Sequence, residues 1–293
     1  MSEAVTCPAC SGANVQAFDQ WRLPGKQHRA LGCRDCGLLF VHPQPAREEL
    51  DAYYAPEGGW QASRTEKSPK PPQRRTKGAA PAMLAALDRY FPASTPAPGA
   101  RVFDFGCGPG TWLNSFQDHG WETFGLEPSS DDAFARHARL SAIPPAPQFE
   151  LVIAYHVLEH LPRPLETLRE LARALVPGGH CFISVPRIDT LAVHRQVDYC
   201  LHPRHHIVGF TEPCLRGLLA RAGLDVLATF HELDDRFSKG EPVRLRLLAR
   251  QTAELLAGVP DPASALMPVV EAFVAIQTAR KSAPKRPAAE TTT

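Results

Sequence analysis

The sequence predicts an α/β protein: an open, mostly parallel sheet flanked by helices, with a small cysteine-bearing module ahead of it. Three observations carry this. Two C-x-x-C pairs, Cys7 with Cys10 and Cys33 with Cys36, stand near the N-terminus. From Ala100 to about Arg250 short apolar runs alternate with helical patterns, the signature of strands joined by crossover helices. One of those runs, Arg101 to Phe105, passes straight into Gly106, Gly108 and Gly110.

Composition sets the bounds. Over 293 residues, 32 Lys and Arg face 31 Asp and Glu, a formal charge of +1. A binder of nucleic-acid backbone would carry a strong basic excess, so no nucleic-acid partner is expected. Hydrophobic residues at 44% allow a sizeable core. No apolar run reaches the ~20 residues of a membrane helix. Met1 to Thr6 lacks the basic and apolar regions of a signal peptide. The expectation is a cytoplasmic chain with no membrane partner, whose eight cysteines are not a disulfide framework.

Residues 1–45 form the first unit. Each C-x-x-C sets two thiolates on one tight turn, and the two turns together complete a tetrahedral four-sulfur site. The 22 residues between the pairs, and Gly37 behind the second, fit zinc-ribbon knuckles. Cys7, Cys10, Cys33 and Cys36 are thus the expected ligands of a structural Zn2+, closed to chemistry because every position is filled. A redox C-x-x-C would need a βαβ context that this stretch lacks. Cys107, Cys181, Cys200 and Cys214 read as small buried side chains.

Residues 46–99 read as a helical and linker segment. A short helix is expected at 46–57, a linker rich in Pro, Lys, Arg, Ser and Gln at 61–82, and a helix from Ala82 to Phe91. Arg64, Lys67, Lys70, Arg74, Arg75 and Lys77 make the linker basic, as a solvated linker or a lid over an anionic substrate would be. Residues 100–258 hold the sheet. Residues 259–293 are expected to form a C-terminal helix, about 262–278, and a frayed tail.

The chemistry begins at the glycines. The strand Arg101 to Phe105 runs into Gly106-Cys107-Gly108-Pro109-Gly110, and Thr111 opens a helix. Glycine lets the backbone press on a ligand, and a helix start offers free N–H groups. The next strand, from Thr123, ends in Glu127, 17 positions after Gly110, where a carboxylate can grip a ribose diol. The spacing G-x-G-x-G departs from the G-x-G-x-x-G of a dinucleotide fold, and no Gly-Lys-Ser/Thr of a P-loop follows.

These segments resemble the class I S-adenosylmethionine-dependent methyltransferases. Asp104 to Gly110 is similar to their first motif, and Leu126-Glu127-Pro128-Ser129 to the strand end that holds the ribose hydroxyls. Phe149 to Leu161 is similar to the strand-4 segment of the small-molecule branch, which includes the ubiquinone-type O-methyltransferases. Leu175 to Pro186 matches the L-x-P-G-G turn into strand 5. The resemblance covers residues 100–250 and implies a Rossmann-like seven-stranded methyltransferase sheet. Its closing antiparallel pair would be Leu224–Leu233 and Val243–Arg250, after a helix from Thr211 to near Gly223. It further implies S-adenosylmethionine as cofactor, held by Asp104, Gly106, Cys107, Gly108, Gly110, Glu127 and His156, and a small-molecule methyl acceptor. A zinc knuckle ahead of such a domain is similar to the sugar C-methyltransferases, which carry a further large C-terminal domain that is not expected here.

Two features stand apart from that pattern. Only 21 residues separate Glu127 from Phe149, with Leu140–Ile143 as the expected third strand and no acidic residue behind it for the adenine amino group. The alternative reading is therefore a degenerate methyltransferase fold that binds cofactor or a partner without catalysis. His156-Val157-Leu158-Glu159-His160 also spells H-x-x-E-H, a zinc-protease pattern that needs both histidines on one helix. The apolar run Leu151–Ala154 before it favours a strand end instead. For proton removal from the acceptor the candidates are His156, His160, Tyr199, His202, His205 and His206, with His156 and the His205–His206 pair foremost.

Overall fold

The computed structural model describes residues 5–17, 28–60, 84, 87–186, 188, 201–233 and 269–277. Its main sheet starts from β-branched and aromatic runs that are buried on both faces. The central strands are β4 (Arg101–Phe105) and β7 (Phe149–Tyr155), with β5 (Glu122–Leu126), β6 (Ala138–Arg139) and β8 (Leu175–Pro186) beside them. Crossovers are made by α2 (Thr111–Asp118) and α3 (Pro164–Ala174) and by a 3-10 turn at Asp132–Ala135. After β8 come α4 (Glu212–Arg221), β10 (Leu224–Leu233) and β11 (Val269–Gln277). The seven strands lie in the order β10-β11-β8-β7-β4-β5-β6. From β6 through β8 every pairing is parallel, and β11 and β10 close the edge antiparallel.

Strand alternation sorts the core into two layers. Leu151 and Ile153 face one side with Val102, Leu113, Phe116 and Trp121, under α2. Val152 and Ala154 face the other with Phe103 and Phe149, under the apolar stripe Leu165, Leu168, Leu171 and Ala172 of α3 and Leu215, Leu218 and Leu219 of α4. Thr211 caps α4, its hydroxyl accepting from the Cys214 N–H at 3.3 Å, and Gly223 takes φ +84° just beyond it.

A second sheet, β1 (Val15–Ala17), β2 (Arg29–Cys33) and β3 (Leu39–His42), is an antiparallel meander. Its fourth strand comes from far along the chain: β9 (Val208–Gly209) pairs with β3 through Leu39↔Gly209 and Phe40↔Val208. Buried Leu31, Leu38 and Phe40 share a core with Phe103 and Leu215 of the main sheet. The N-terminal unit is thus stitched into the sheet protein. Behind it, α1 (Arg47–Tyr54) opens with Glu48 and Glu49 in its first turn, and the Glu49 carboxylate accepts from the Ala46 N–H at 2.8 Å.

Two expectations change. The stretch 262–278, expected as a helix, is strand β11 over Val269–Gln277, so the sheet runs past residue 258. A run such as Val269-Val270-Glu271-Ala272-Phe273-Val274-Ala275-Ile276 is apolar at nearly every position. That suits a strand with neighbours on both edges as well as a buried helix, and periodicity alone does not separate the two. The third strand is Ala138–Arg139, in place of Leu140–Ile143; Leu140 only sends its N–H to the Gly125 carbonyl at 2.8 Å. The edge position, with a partner only in β5, and Pro144 and Pro145 behind it keep that strand short. The linker 61–82, the strand expected at 243–250 and Tyr199 lie outside the described residues. Leu84 and Leu87 of the expected 82–91 helix are helical, and the chain turns at Asp88–Tyr90.

Phe103 is fully buried in β4 and stacks on Phe149 at 5.2 Å. Phe103→Ala is expected to lower the unfolding free energy by ~3–5 kcal/mol, measured by urea denaturation. A loss below ~1 kcal/mol would show that the two layers do not depend on this contact.

Candidate active site

The turn after β4 is bent by glycines that take positive φ, with Gly106 at +78° and Gly108 at +51°. Gly106 sends its N–H to the Leu126 carbonyl at 2.8 Å, which draws the loop onto the end of β5. A Cβ on Gly106 would lie 2.5 Å from Val157 Cγ2, so that glycine is demanded by packing against the turn after β7. Gly108 differs: a Cβ there would meet nothing within 4 Å among the described residues. Its space is open, and its N–H is held by the Glu127 carboxylate at 2.9 Å. Glu127 also accepts from the Ser129 N–H at 2.8 Å and hydroxyl at 2.6 Å, which fixes the carboxylate at the end of β5.

Asp104 lies beneath the loop, 1% exposed, with no hydrogen-bond partner on either carboxylate oxygen among the described residues. Burial, and secondarily the charge of Glu127, pushes its pKa up to about 8. A buried carboxylate left unsatisfied is costly unless a ligand brings a donor or a cation. Cys107 is buried in the same turn, its thiol raised by burial and by the charge of Asp104.

His156 follows the last residue of β7 and takes φ +56°, uncommon for a side chain of its size. Its N–H is held by the Ser184 carbonyl at 2.9 Å, and its imidazole, 24% exposed, sets Nδ1 3.3 Å from Glu159 Oε1. The carboxyl ends of β4, β5 and β7 thus bring the glycine loop, Glu127 and His156 to one edge, where ligands bind in open α/β sheets.

The resemblance to known proteins agrees with this geometry. The family described as methyltransferase domain matches residues 75–229, just over half of the chain. The chain belongs to this methyltransferase family. Among curated relatives, the ubiquinone biosynthesis O-methyltransferase of Aliivibrio fischeri is 30% identical over 104 residues, covering 29% of this chain and 44% of that protein. The enzyme of the same name from Nitrosospira multiformis is 29% identical over 171 residues, 50% of this chain and 70% of that one. The chain spans less than half the length of the first of these. A solved structure, 1,6-didemethyltoxoflavin-N1-methyltransferase of Burkholderia thailandensis with 1,6-didemethyltoxoflavin and S-adenosylhomocysteine bound, has a TM-score of 0.52 at 15% identity, over 88% of this chain and 98% of that one. At that identity the likeness shows the fold.

Beyond the edge of the methyltransferase sheet lies a cluster of rings. His160 sits in a 3-10 turn (Leu158–His160), its Nδ1 2.8 Å from both the Tyr54 hydroxyl and the His205 carbonyl. The Trp60 and His206 rings lie 5.8 and 4.8 Å from it, and His205 stacks on His202 at 4.2 Å. Burial holds both His160 and His206 below the usual imidazole range, His206 further lowered by the charge of His160. Glu159 is 1% exposed, between His156 and His160. His156 ends a strand and His160 lies in a 3-10 turn, so the H-x-x-E-H residues do not share a helix and the zinc-protease pattern fails. Tyr54, Trp60 and Glu159 belong to the cluster although no sequence motif marked the two aromatics.

At the other end of the N-terminal unit the four C-x-x-C sulfurs lie within 4.8 Å of one another. Cys7 and Cys36 are 3.6 Å apart, and Cys10 and Cys33 3.5 Å. Zinc bonded to thiolates at ~2.3 Å requires tetrahedron edges of ~3.8 Å, so this donor set fits that ion with little adjustment. No helix among the described residues is long and apolar enough to cross a membrane.

Two predictions separate these roles. Gly108→Ala is expected to cost ~1–2 kcal/mol of stability from its left-handed backbone and to remove S-adenosylhomocysteine binding in calorimetry. Gly106→Ala should instead lower the melting temperature markedly; equal behaviour of the two variants would contradict the assignment. Asp104 gives a pH signature. An unfolded carboxylate releases its proton near 3.8 and the folded one only near 8, so the cofactor-free protein should lose stability as pH rises between those values. Asp104→Asn should flatten that slope in thermal melts while weakening S-adenosylhomocysteine ~10-fold or more.

Proposed function

We propose that this chain transfers the methyl group of S-adenosylmethionine to a small-molecule acceptor, at oxygen or carbon, with a sugar or secondary metabolite as the acceptor class. The carrying observation is the open space over Gly108, whose N–H the fixed carboxylate of Glu127 holds, in the loop that follows the strand bearing the orphaned carboxylate of Asp104. In this reading the backbone of Gly106, Cys107, Gly108 and Gly110 receives the cofactor, Glu127 accepts from its ribose hydroxyls, and Asp104 takes its ammonium group. When bound, the cofactor supplies a methyl group activated by a positive sulfur. The remaining task of the chain is alignment, exclusion of water and removal of the acceptor's proton.

His156 is the base in this reading. Its ring is reachable, it stands at the strand end beside the glycine loop, and Glu159 at 3.3 Å favours a proton on Nδ1, leaving the other nitrogen free to accept. His205 and His206 form the opposite wall and hold the acceptor. A neutral, buried His206 suits contact with an uncharged substrate better than proton transfer. The near-balanced charge supports a small-molecule acceptor over nucleic acid. Cys7, Cys10, Cys33 and Cys36 hold a structural zinc, and the free cysteines among the described residues support a reducing, cytoplasmic setting.

The test is incubation with methyl-labelled S-adenosylmethionine and a metabolite extract, followed by the intact mass of any labelled product. A labelled small molecule is expected. Cofactor binding without any product would favour a binding module instead. Glu127→Ala should weaken cofactor binding by ~1–3 kcal/mol in calorimetry. His156→Ala should slow single-turnover transfer ~100-fold or more at unchanged cofactor affinity. Loss of affinity alone would make His156 a cofactor contact. Metal analysis should return one zinc per chain, lost when Cys33 and Cys36 are replaced by serine.

A further inference from the structure

The N-terminal unit reaches the histidine loop by backbone, and this was not legible as a domain pattern. Strand β3 pairs with β9, which begins two residues after His206. The Val41 N–H donates to the Ile207 carbonyl at 2.9 Å, so the residue next to His206 is itself held by β3. Phe40 and Val41 on one side and Ile207, Val208 and Phe210 on the other are all buried, at 2% exposure or less. A second arm comes from α1, whose Tyr54 hydroxyl meets His160 Nδ1 at 2.8 Å beside the His205 carbonyl. Strand β3 is in turn anchored at its start. Leu38 accepts from the Cys33 N–H at 2.9 Å, and the Gly37 N–H returns to the Cys33 carbonyl at 2.9 Å, within the turn that carries Cys33 and Cys36.

We propose that the four-cysteine knuckle is the positioning device of the histidine loop: its metal holds the Cys33–Gly37 turn, that turn sets β3, and β3 fixes His205 and His206 through the β3–β9 pairing. A two-residue strand such as β9 has too few hydrogen bonds to hold a register of its own. Its placement is borrowed from β3. The functional part of this inference rests on His205 and His206 facing the acceptor; the mechanical part does not.

The experiment uses the full chain in three forms: wild type, wild type stripped by a strong chelator, and Val41→Pro, which keeps all four cysteines but loses the donor to Ile207. Metal content is measured by mass spectrometry, amide exchange at residues 205–210 by mass spectrometry, and the His205 and His206 ring resonances by pH titration in NMR. Stripping is expected to speed exchange at Ile207–Gly209 by ~10-fold or more and to move the titrations of both rings. Val41→Pro should do the same with its metal retained. Affinity for S-adenosylhomocysteine should stay within ~2-fold in all forms, since the glycine loop stands on the main sheet. Exchange confined to residues 5–42, with 205–210 unchanged, would overturn the proposal. So would loss of S-adenosylhomocysteine binding on stripping, which would make the knuckle part of the general core. If untreated wild type binds no S-adenosylhomocysteine, the functional reading fails, while exchange and ring titration still decide the coupling.

Discussion

The approach of two turns, the one after β4 and the one after β7, sets the geometry on which the site depends. Gly106 and Val157 meet so closely that a single added methyl at position 106 would stand 2.5 Å from the valine side chain. Because β4 pairs in parallel with both β5 and β7, bringing those turns together also fixes the end of β5. Glu127 then falls where its carboxylate captures the Gly108 N–H, and His156 falls where Ser184 holds its backbone. One packing contact thereby brings together a loop with open space, a fixed carboxylate and a reachable imidazole.

The same region concentrates electrostatic cost. Asp104 and Glu159 are both 1% exposed; Glu159 faces the His156 and His160 imidazoles, whereas neither Asp104 oxygen has a hydrogen-bond partner among the described residues. His206 is buried among other imidazoles. A buried carboxylate left unsatisfied destabilises a fold by roughly 1–3 kcal/mol, so a chain optimised only for stability would not place Asp104 there. Its place in β4 directly beneath the glycine loop suits a group that a bound ligand would complete. Binding and stability are then linked, because whatever brings a donor to Asp104 also relieves the folded state.

The central sheet was legible because its signals are local. Strand β7 carries the unbroken apolar run Leu151–Ala154, the glycine loop follows directly on β4, and Thr211 and Gly223 bracket α4 with ordinary capping chemistry. The C-x-x-C turns were legible for the same reason. What escaped was set by tertiary pairing. Ala138–Arg139 has no strand propensity to speak of and exists as a strand only because β5 offers Phe124 and Gly125 as partners. Val269–Gln277 reads equally as helix or strand until β8 and β10 claim both of its edges. Tyr54 and His160 stand 106 positions apart, and nothing in either neighbourhood announces the other.

The two halves of the site therefore have different origins in the chain. The cofactor side is built from consecutive strands of the methyltransferase sheet, so its residues follow a short and recognisable order. The opposite wall is assembled from α1, the turn after β7 and the loop before β9, segments that meet at the His160 ring. The two halves meet where Val157 of the turn after β7 packs on Gly106, and the loop before β9 is tied to β3 by backbone pairing. That difference in origin explains why the glycine loop is legible in the sequence while the opposite wall is not. The loop and its carboxylate come from neighbouring strands, whereas the wall is distributed over three segments that only the fold brings together.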